Sequence, residues 1–237
     1  DDLQSFTPLR YLPPKLMNWE GRAVVTDPDV FAVGDINELL ELDMNGAAVM
    51  GRHRSAKEGK VSQVATSVLL MECARLRHWD AEKEFGQLFS SQKDYKDWMV
   101  LAYEDPANIG YLEDCWNDFD NLDSNTRLLH NTKRKTQPWK TGLPVDYTPA
   151  DKFKDKPLLA SANRLRARVF GEYGLLGRYR EHPDSRQEAF FFGLLKDCVE
   201  VGHISEDLIR SEINLNHVRH DAFEVLDRTP KLRVRAA

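Results

Sequence analysis

The chain has 237 residues, 41% of them hydrophobic and 30% charged, with a formal net charge of −5. That length buries a substantial core as one large domain or as a domain with a helical appendage, and the acidic balance excludes a nonspecific nucleic-acid binder, which needs a basic surface. Three cysteines, Cys73, Cys115 and Cys198, have no paired spacing, which argues against a disulfide framework or a zinc cluster and for a reducing, cytoplasmic compartment.

Residues 8–19 read as a short helix entered at Pro13-Pro14, with Arg10, Tyr11 and Trp19 on different sides. Residues 22–26 read as a strand that runs into Asp27-Pro28-Asp29. Side chains two apart on a strand share a face, so Asp27 and Asp29 converge on one cation if strand geometry persists that far. Pro28, with φ fixed and no N–H to donate, suits the last turn out of a strand. Aspartate beside proline is also ordinary turn chemistry, so the pair needs an answering ligand elsewhere. Asp35 is an N-cap candidate for a helix over 35–42, with Glu38 three residues on in a capping-box pattern. A second apolar run, Ala47–Met50, leads to Arg52-His53-Arg54 and a polar loop over Lys57–Lys60.

The segment Thr66–Glu72 is almost continuously apolar and reads as a strand buried on both faces. Asp80 caps a predicted helix carrying Phe85, Leu88 and Phe89 at core spacing, and Asp94–Leu101 opens another. The charge pattern then switches. From Glu104 to Asp123 there are seven acids and no lysine or arginine; from Arg127 to Lys140 there are five bases and no acid. Such blocks are commonly solvated loops. Within the basic block lies His130, an imidazole whose addition to two carboxylates would bias a site toward manganese over magnesium or calcium. Lys133, Arg134, Lys135 and Lys140 would neutralise a phosphate bridged to that metal.

Taken together, Asp27-Pro28-Asp29, Ser67–Glu72, Trp116-Asn117 and the run from His130 to Pro138-Trp139 resemble the retaining glycosyltransferases of the GT-A fold, in particular family eight. The resemblance covers roughly residues 5–145. It implies an α/β fold, a partial GT-A mixed sheet over residues 1–148 followed by a C-terminal helical region over 149–237. It further implies that Asp27, Asp29 and His130 hold manganese (or magnesium), which bridges the diphosphate of a UDP-sugar. Arg10, Lys133, Arg134, Lys135 and Lys140 become donor contacts, and Asp97, with Asp94 behind it, the carboxylate near the reacting sugar. A saccharide or small-molecule acceptor is the expected partner. Two departures stand out. Gln137 replaces the family's lysine before Pro-Trp, and no glycine lies between His130 and Pro138. The family's nucleoside-binding strands precede its Asp-x-Asp, whereas here only 26 residues do, so the reading expects an N-terminally truncated catalytic region.

From about Thr148 the character changes. Lys152–Lys156 reads as a charged linker, Leu158–Tyr179 is rich in arginine and leucine, and Asp184–Val201 and Ser205–Leu226 read as two amphipathic helices. These helices are the expected contact of a homodimer. No apolar run reaches membrane-spanning length, so any membrane association is expected to be peripheral. His217 and His220, three apart, lack carboxylate partners in the sequence pattern and are set aside as a metal site, and Lys231–Arg235 is a basic tail. Two other functions compete with sugar transfer: a different metal-dependent transferase acting on nucleotides, and a non-catalytic interaction domain derived from a glycosyltransferase.

Overall fold

The computed structural model describes residues 7–54, 63–146 and 177–232, together with residues 159, 161, 162, 165 and 169. The loop Lys57–Lys60, the linker Lys152–Lys156, most of Leu158–Tyr179 and the tail beyond Leu232 lie outside the described residues. The chain divides into two units, Asp1–Asn131 and Thr132–Ala237.

In the first unit a 3-10 turn, Thr7–Tyr11, leads into α1 (Pro13–Leu16), whose prolines occupy the first helical positions where no N–H is needed. Then come β1 (Arg22–Thr26), β2 (Val30–Ala32), α2 (Ile36–Leu40), β3 (Val49–Arg54), β4 (Gln63–Glu72), α3 (Ala81–Phe89), α4 (Tyr95–Met99), β5 (Ile109–Leu112), β6 (Asp118–Phe119) and β7 (Leu128–His130). One sheet has the order β1-β4-β3-β5, antiparallel except for the parallel β3–β5 pair; a smaller one has the order β2-β7-β6. The expected mixed α/β class is therefore what the chain forms. Local signals account for most boundaries. Asp35, Asp80 and Asp94 each cap a helix by accepting backbone N–H groups. Glu38, read as the returning half of a capping box, instead pairs with Arg127 at 3.2 Å.

The two-faced burial of β4 organises the core. Leu69 and Met71 face a cluster with Tyr11, Val49, Leu76, Trp79 and Trp98. Val68 and Leu70 face the opposite cluster with Leu39, Met50, Leu112, Trp116 and Leu128. Tyr11 stacks on Trp98 with ring centroids 4.6 Å apart and donates to the Trp98 carbonyl at 3.1 Å. Burial, with Glu84 and Glu104 nearby, pushes its phenol above the usual tyrosine range. Of the α3 residues expected in this core, Leu88 packs inward, whereas Phe89 is 68% exposed at the end of the helix and the half-buried Phe85 lies against it with ring centroids 5.0 Å apart.

The β3–β4 ladder slips sharply in register. Gly51 stands opposite Leu69, but Arg52 stands opposite Ala65, leaving Thr66, Ser67 and Val68 of β4 with no counterpart on β3. Bulges of this kind turn side chains out of the regular alternation. Here the irregularity carries Thr66 and Ser67 into the polar contacts described below. A β-carbon at Gly51 would lie 2.5 Å from Val64 Cγ1 and 3.0 Å from the Ala65 carbonyl oxygen. Gly51→Ala is therefore expected to cost about 1–3 kcal/mol by overpacking, read as a fall in Tm. An unchanged Tm would show that the bulge relaxes freely.

The second unit begins with 3-10 turns at Arg134–Thr136 and Pro138–Lys140. It continues through α5 (Ser185–Glu200), α6 (Glu206–Asn214) and α7 (Ala222–Arg228), which bury Phe192, Ile209, Ala222, Val225 and Leu226 together. The stretch read as one helix, Ser205–Leu226, is thus two. Asn216 takes a left-handed conformation at φ 58°, and Arg219 turns in to Glu188 at 2.5 Å and Asp221 at 2.6 Å. Among the described residues no helix is long and apolar enough to cross a membrane.

Candidate metal centre

Asp27 leaves β1 with its backbone N–H still donating to the Ser67 carbonyl at 2.8 Å, and the chain then turns, Val30 donating to the Asp27 carbonyl at 3.1 Å. The turn brings Asp29 back over the end of β7, where its carbonyl accepts from Asn131 N–H at 3.1 Å and Val30 pairs with His130. Two sheets meet at this turn. Their junction, rather than a persisting strand, makes the two carboxylates converge on the histidine. One ligand atom each from Asp27, Asp29 and His130 lie within 4.8 Å of one another, and His130 Nε2 is 3.3 Å from Asp29 Oδ1.

The imidazole is held from its other side. His130 is buried, and its Nδ1 lies 2.9 Å from Asn117 Oδ1. Asn117, fully buried, donates from Nδ2 to Ser67 Oγ at 2.9 Å. With the amide in this orientation Nδ1 carries the proton, and the Nε2 lone pair is directed at the carboxylates, the tautomer a metal-ligating imidazole requires. The Phe119 ring meets the imidazole edge-on at 5.4 Å. Trp116 and Asn117 were legible as a motif, but Ser67 was not singled out for this role. It lies in the stretch of β4 that the register slip leaves without a counterpart on β3.

Asp27 is tied to Arg10. The guanidinium donates from Nη2 to Asp27 Oδ1 and from Nη1 to Thr66 Oγ1 at 2.7 Å, and Thr66 in turn donates to the Met99 carbonyl at 2.7 Å. Burial pushes the Asp27 carboxyl above the usual carboxylate range; Arg10 and His130 pull it back, and the neighbouring Asp29 adds to the rise. Two hard oxygens and one borderline nitrogen, brought together on separate segments with the imidazole tautomer fixed, suit a divalent ion of the manganese type.

The structure places the other predicted residues as follows. Asp94 spends its carboxylate on the α4 cap, accepting from Lys96 and Asp97 N–H at 2.8 and 3.1 Å. Asp97 sits half-buried in the first turn of that helix. Lys133, Arg134, Lys135 and Lys140 belong to the second unit. There Lys140 pairs with Asp146 at 2.6 Å and donates to the Asn216 carbonyl at 3.2 Å. Much of the acidic block is engaged internally: Glu104 accepts from Trp79 and Asn108, Asp105 caps a turn at Ala107, and Asp118 and Asp123 accept from Thr126. Trp116 is core, and Trp139 packs on Phe191 in the second unit at 5.1 Å. His217 and His220 have local partners, Glu212 and Asn216, both at 2.8 Å.

No protein-family model and no curated protein sequence matches the chain. Among solved structures, the glycosyltransferase GlyE of Streptococcus pneumoniae aligns with a TM-score of 0.45 and 20% identity, over 56% of this chain and 38% of its own. The galactosyltransferase LgtC, in complex with donor and acceptor sugar analogues, gives 0.43 and 15% over 56% and 60%. Mouse xyloside xylosyltransferase 1 gives 0.39 and 14% over 55% and 65%. The chain spans less than two thirds of the length of each.

Proposed function

We propose that the first unit carries the metal centre of a GT-A glycosyltransferase of the family-eight type, which moves a hexose from a UDP-sugar to a saccharide or other small acceptor with retention at the anomeric carbon. The observation that carries this reading is the convergence of Asp27, Asp29 and His130. These residues were picked out by the sequence motif alone, and they meet although more than a hundred positions separate the aspartates from the histidine.

Asp27, Asp29 and His130 would hold the ion, and a divalent ion bound there supplies Lewis-acid stabilisation of charge on a departing diphosphate. The protein's part is preparation. Arg10 fixes one oxygen of Asp27 and balances part of the negative charge gathered in the turn. Asn117 and Ser67 keep the imidazole from rotating, so the ligand set is arranged before the ion arrives and little ordering remains to be done on binding. Asp94 is committed to its helix cap, so Asp97, whose carboxylate takes no part in that cap, is the acid this reading keeps near the sugar.

The test is the thermal midpoint of the chain with UDP, with and without manganese, followed by transfer from a radiolabelled UDP-hexose. Ligand at a hundred times its Kd stabilises by about 2.7 kcal/mol, which should raise Tm by several degrees only when both UDP and manganese are present. A cooperatively melting protein whose Tm ignores the pair would overturn the reading.

A further inference from the structure

Arg52 lies on β3 just beyond the register slip, and no motif reading assigned it a task. Its side chain is only 17% exposed and makes three contacts with the segment that supports His130. Nη1 donates to the Asn117 carbonyl at 2.6 Å. Nη2 donates to Asp114 Oδ2 at 2.8 Å. The guanidinium carbon lies 4.3 Å from the centre of the Phe119 ring. Asp114 and Asn117 are the two ends of one 3-10 turn, Asp114–Asn117. A single planar group therefore clamps both ends of the turn that presents Asn117 to Nδ1 of His130, and it covers the ring that meets the imidazole edge-on.

We propose that Arg52 is a positioning residue for the metal centre: through Asn117 and Phe119 it holds the His130 imidazole in the tautomer and orientation that direct Nε2 at Asp27 and Asp29. The proposal rests on the metal-binding reading above and adds to it a residue that touches neither ion nor substrate. The chemistry calls for arginine. A guanidinium offers a rigid fork for two oxygens and a flat face for an aromatic ring, whereas a lysine ammonium is a point charge on a flexible stem.

Charge and geometry predict opposite signs here, which makes the idea sharp. Arg52 is a permanent cation near a site for a dication, so removing it should tighten metal binding if only Coulomb forces mattered. Positioning predicts the reverse. Manganese alone is the probe, titrated into the full chain and into Arg52→Gln, Arg52→Lys and Asp114→Asn, with the free ion read by electron paramagnetic resonance. Loss of an outer support of this kind weakens metal affinity by roughly tenfold or more. That weakening is expected for Arg52→Gln and, because charge without the fork does not suffice, for Arg52→Lys. Asp114→Asn, whose amide oxygen still accepts from Nη2 and which removes only the charge of a 69% exposed partner, should stay within about threefold of the parent. The metal-free chain gives a second readout. In proton–nitrogen-15 spectra of the imidazoles, with the His130 signal identified by its loss in His130→Asn, the parent should show an Nδ1–H held in its bond to Asn117 Oδ1 and slow to exchange with water, and Arg52→Gln one that exchanges at least tenfold faster.

Unchanged or tighter manganese binding in Arg52→Gln, or an unchanged exchange rate of the His130 Nδ1–H, overturns the proposal; should that variant not fold, Arg52→Lys carries the same test. A parent that binds manganese through Asp29 but is indifferent to Arg52 overturns this proposal alone. A parent that takes up no manganese overturns the metal reading and this proposal with it.

Discussion

Asp29→Asn is expected to abolish manganese-dependent UDP binding and to lower transfer by about a thousandfold or more while leaving Tm nearly unchanged. The asymmetry follows from how Asp29 is held. Its backbone contribution, the carbonyl that accepts from Asn131 N–H, is kept by an asparagine, and the amide still reaches the His130 side of the turn. Its carboxylate is 27% exposed, so water solvates an amide in its place at little cost. What the substitution removes is one of two anionic ligands. Lewis-acid stabilisation of a leaving group amounts to several kcal/mol, and each 1.36 kcal/mol is tenfold in rate, so about 4 kcal/mol gives the thousandfold. Isothermal titration with manganese and UDP, run beside an assay of sugar transfer, checks both halves. Parent-like activity in the variant would remove Asp29 from the site.

The three residues that converge were legible in the sequence because their signals are local or chemical. Asp27 and Asp29 follow a strand whose limits, Arg22–Thr26, are those the apolar run predicts, and His130 lies in a segment with few other metal-ligating residues. Helix starts were equally readable at Asp35, Asp80 and Asp94, since a capping carboxylate needs only the next turn of backbone. Asp94 was a candidate for chemistry because a cap and a reactive carboxylate look alike in sequence.

What stayed hidden depends on register. The placement of Ser67 behind Asn117 and of Arg52 over Phe119 follows from the point at which β4 slips past β3. That slip depends on the lack of a β-carbon at Gly51 and on the packing of Val64 and Leu69 against it. No window of neighbouring residues encodes such a contact. The helix drawn through Ser205–Leu226 failed for a related reason. Its apolar period continues across the gap, but Arg219 is drawn to Glu188, 31 positions away, and its own N–H donates to the Trp139 carbonyl at 2.8 Å. Tertiary partners outbid the local preference at that point.

Asp27→Asn should behave quite differently from its neighbour: manganese binding is lost, and Tm falls by roughly 10 °C, from the loss of about 3–5 kcal/mol expected when one partner of a buried ion pair is removed. Two effects oppose each other. The Asp27 carboxyl is held above its usual value by burial, so its ionisation costs the fold free energy. That cost is absent below the unfolded value, near 3.8, grows as pH rises from there to the folded one, and is complete above it. An asparagine relieves that cost. It also leaves Arg10, whose side chain is 9% exposed, buried without its carboxylate, and a guanidinium cannot shed its proton to escape. The stranded cation outweighs the relieved anion because Arg10 and His130 already offset part of the burial of Asp27, whereas an asparagine amide offers the Arg10 guanidinium no opposite charge. Replacing both partners by apolar groups, Arg10→Met with Asp27→Leu, removes the charges together and is expected to recover most of the Tm without any recovery of metal binding; Thr66 keeps its bond to the Met99 carbonyl throughout. If Asp27→Asn melts like the parent, the Arg10 pair does not hold the site, and the preparation of the ligand set must rest on the His130 side alone.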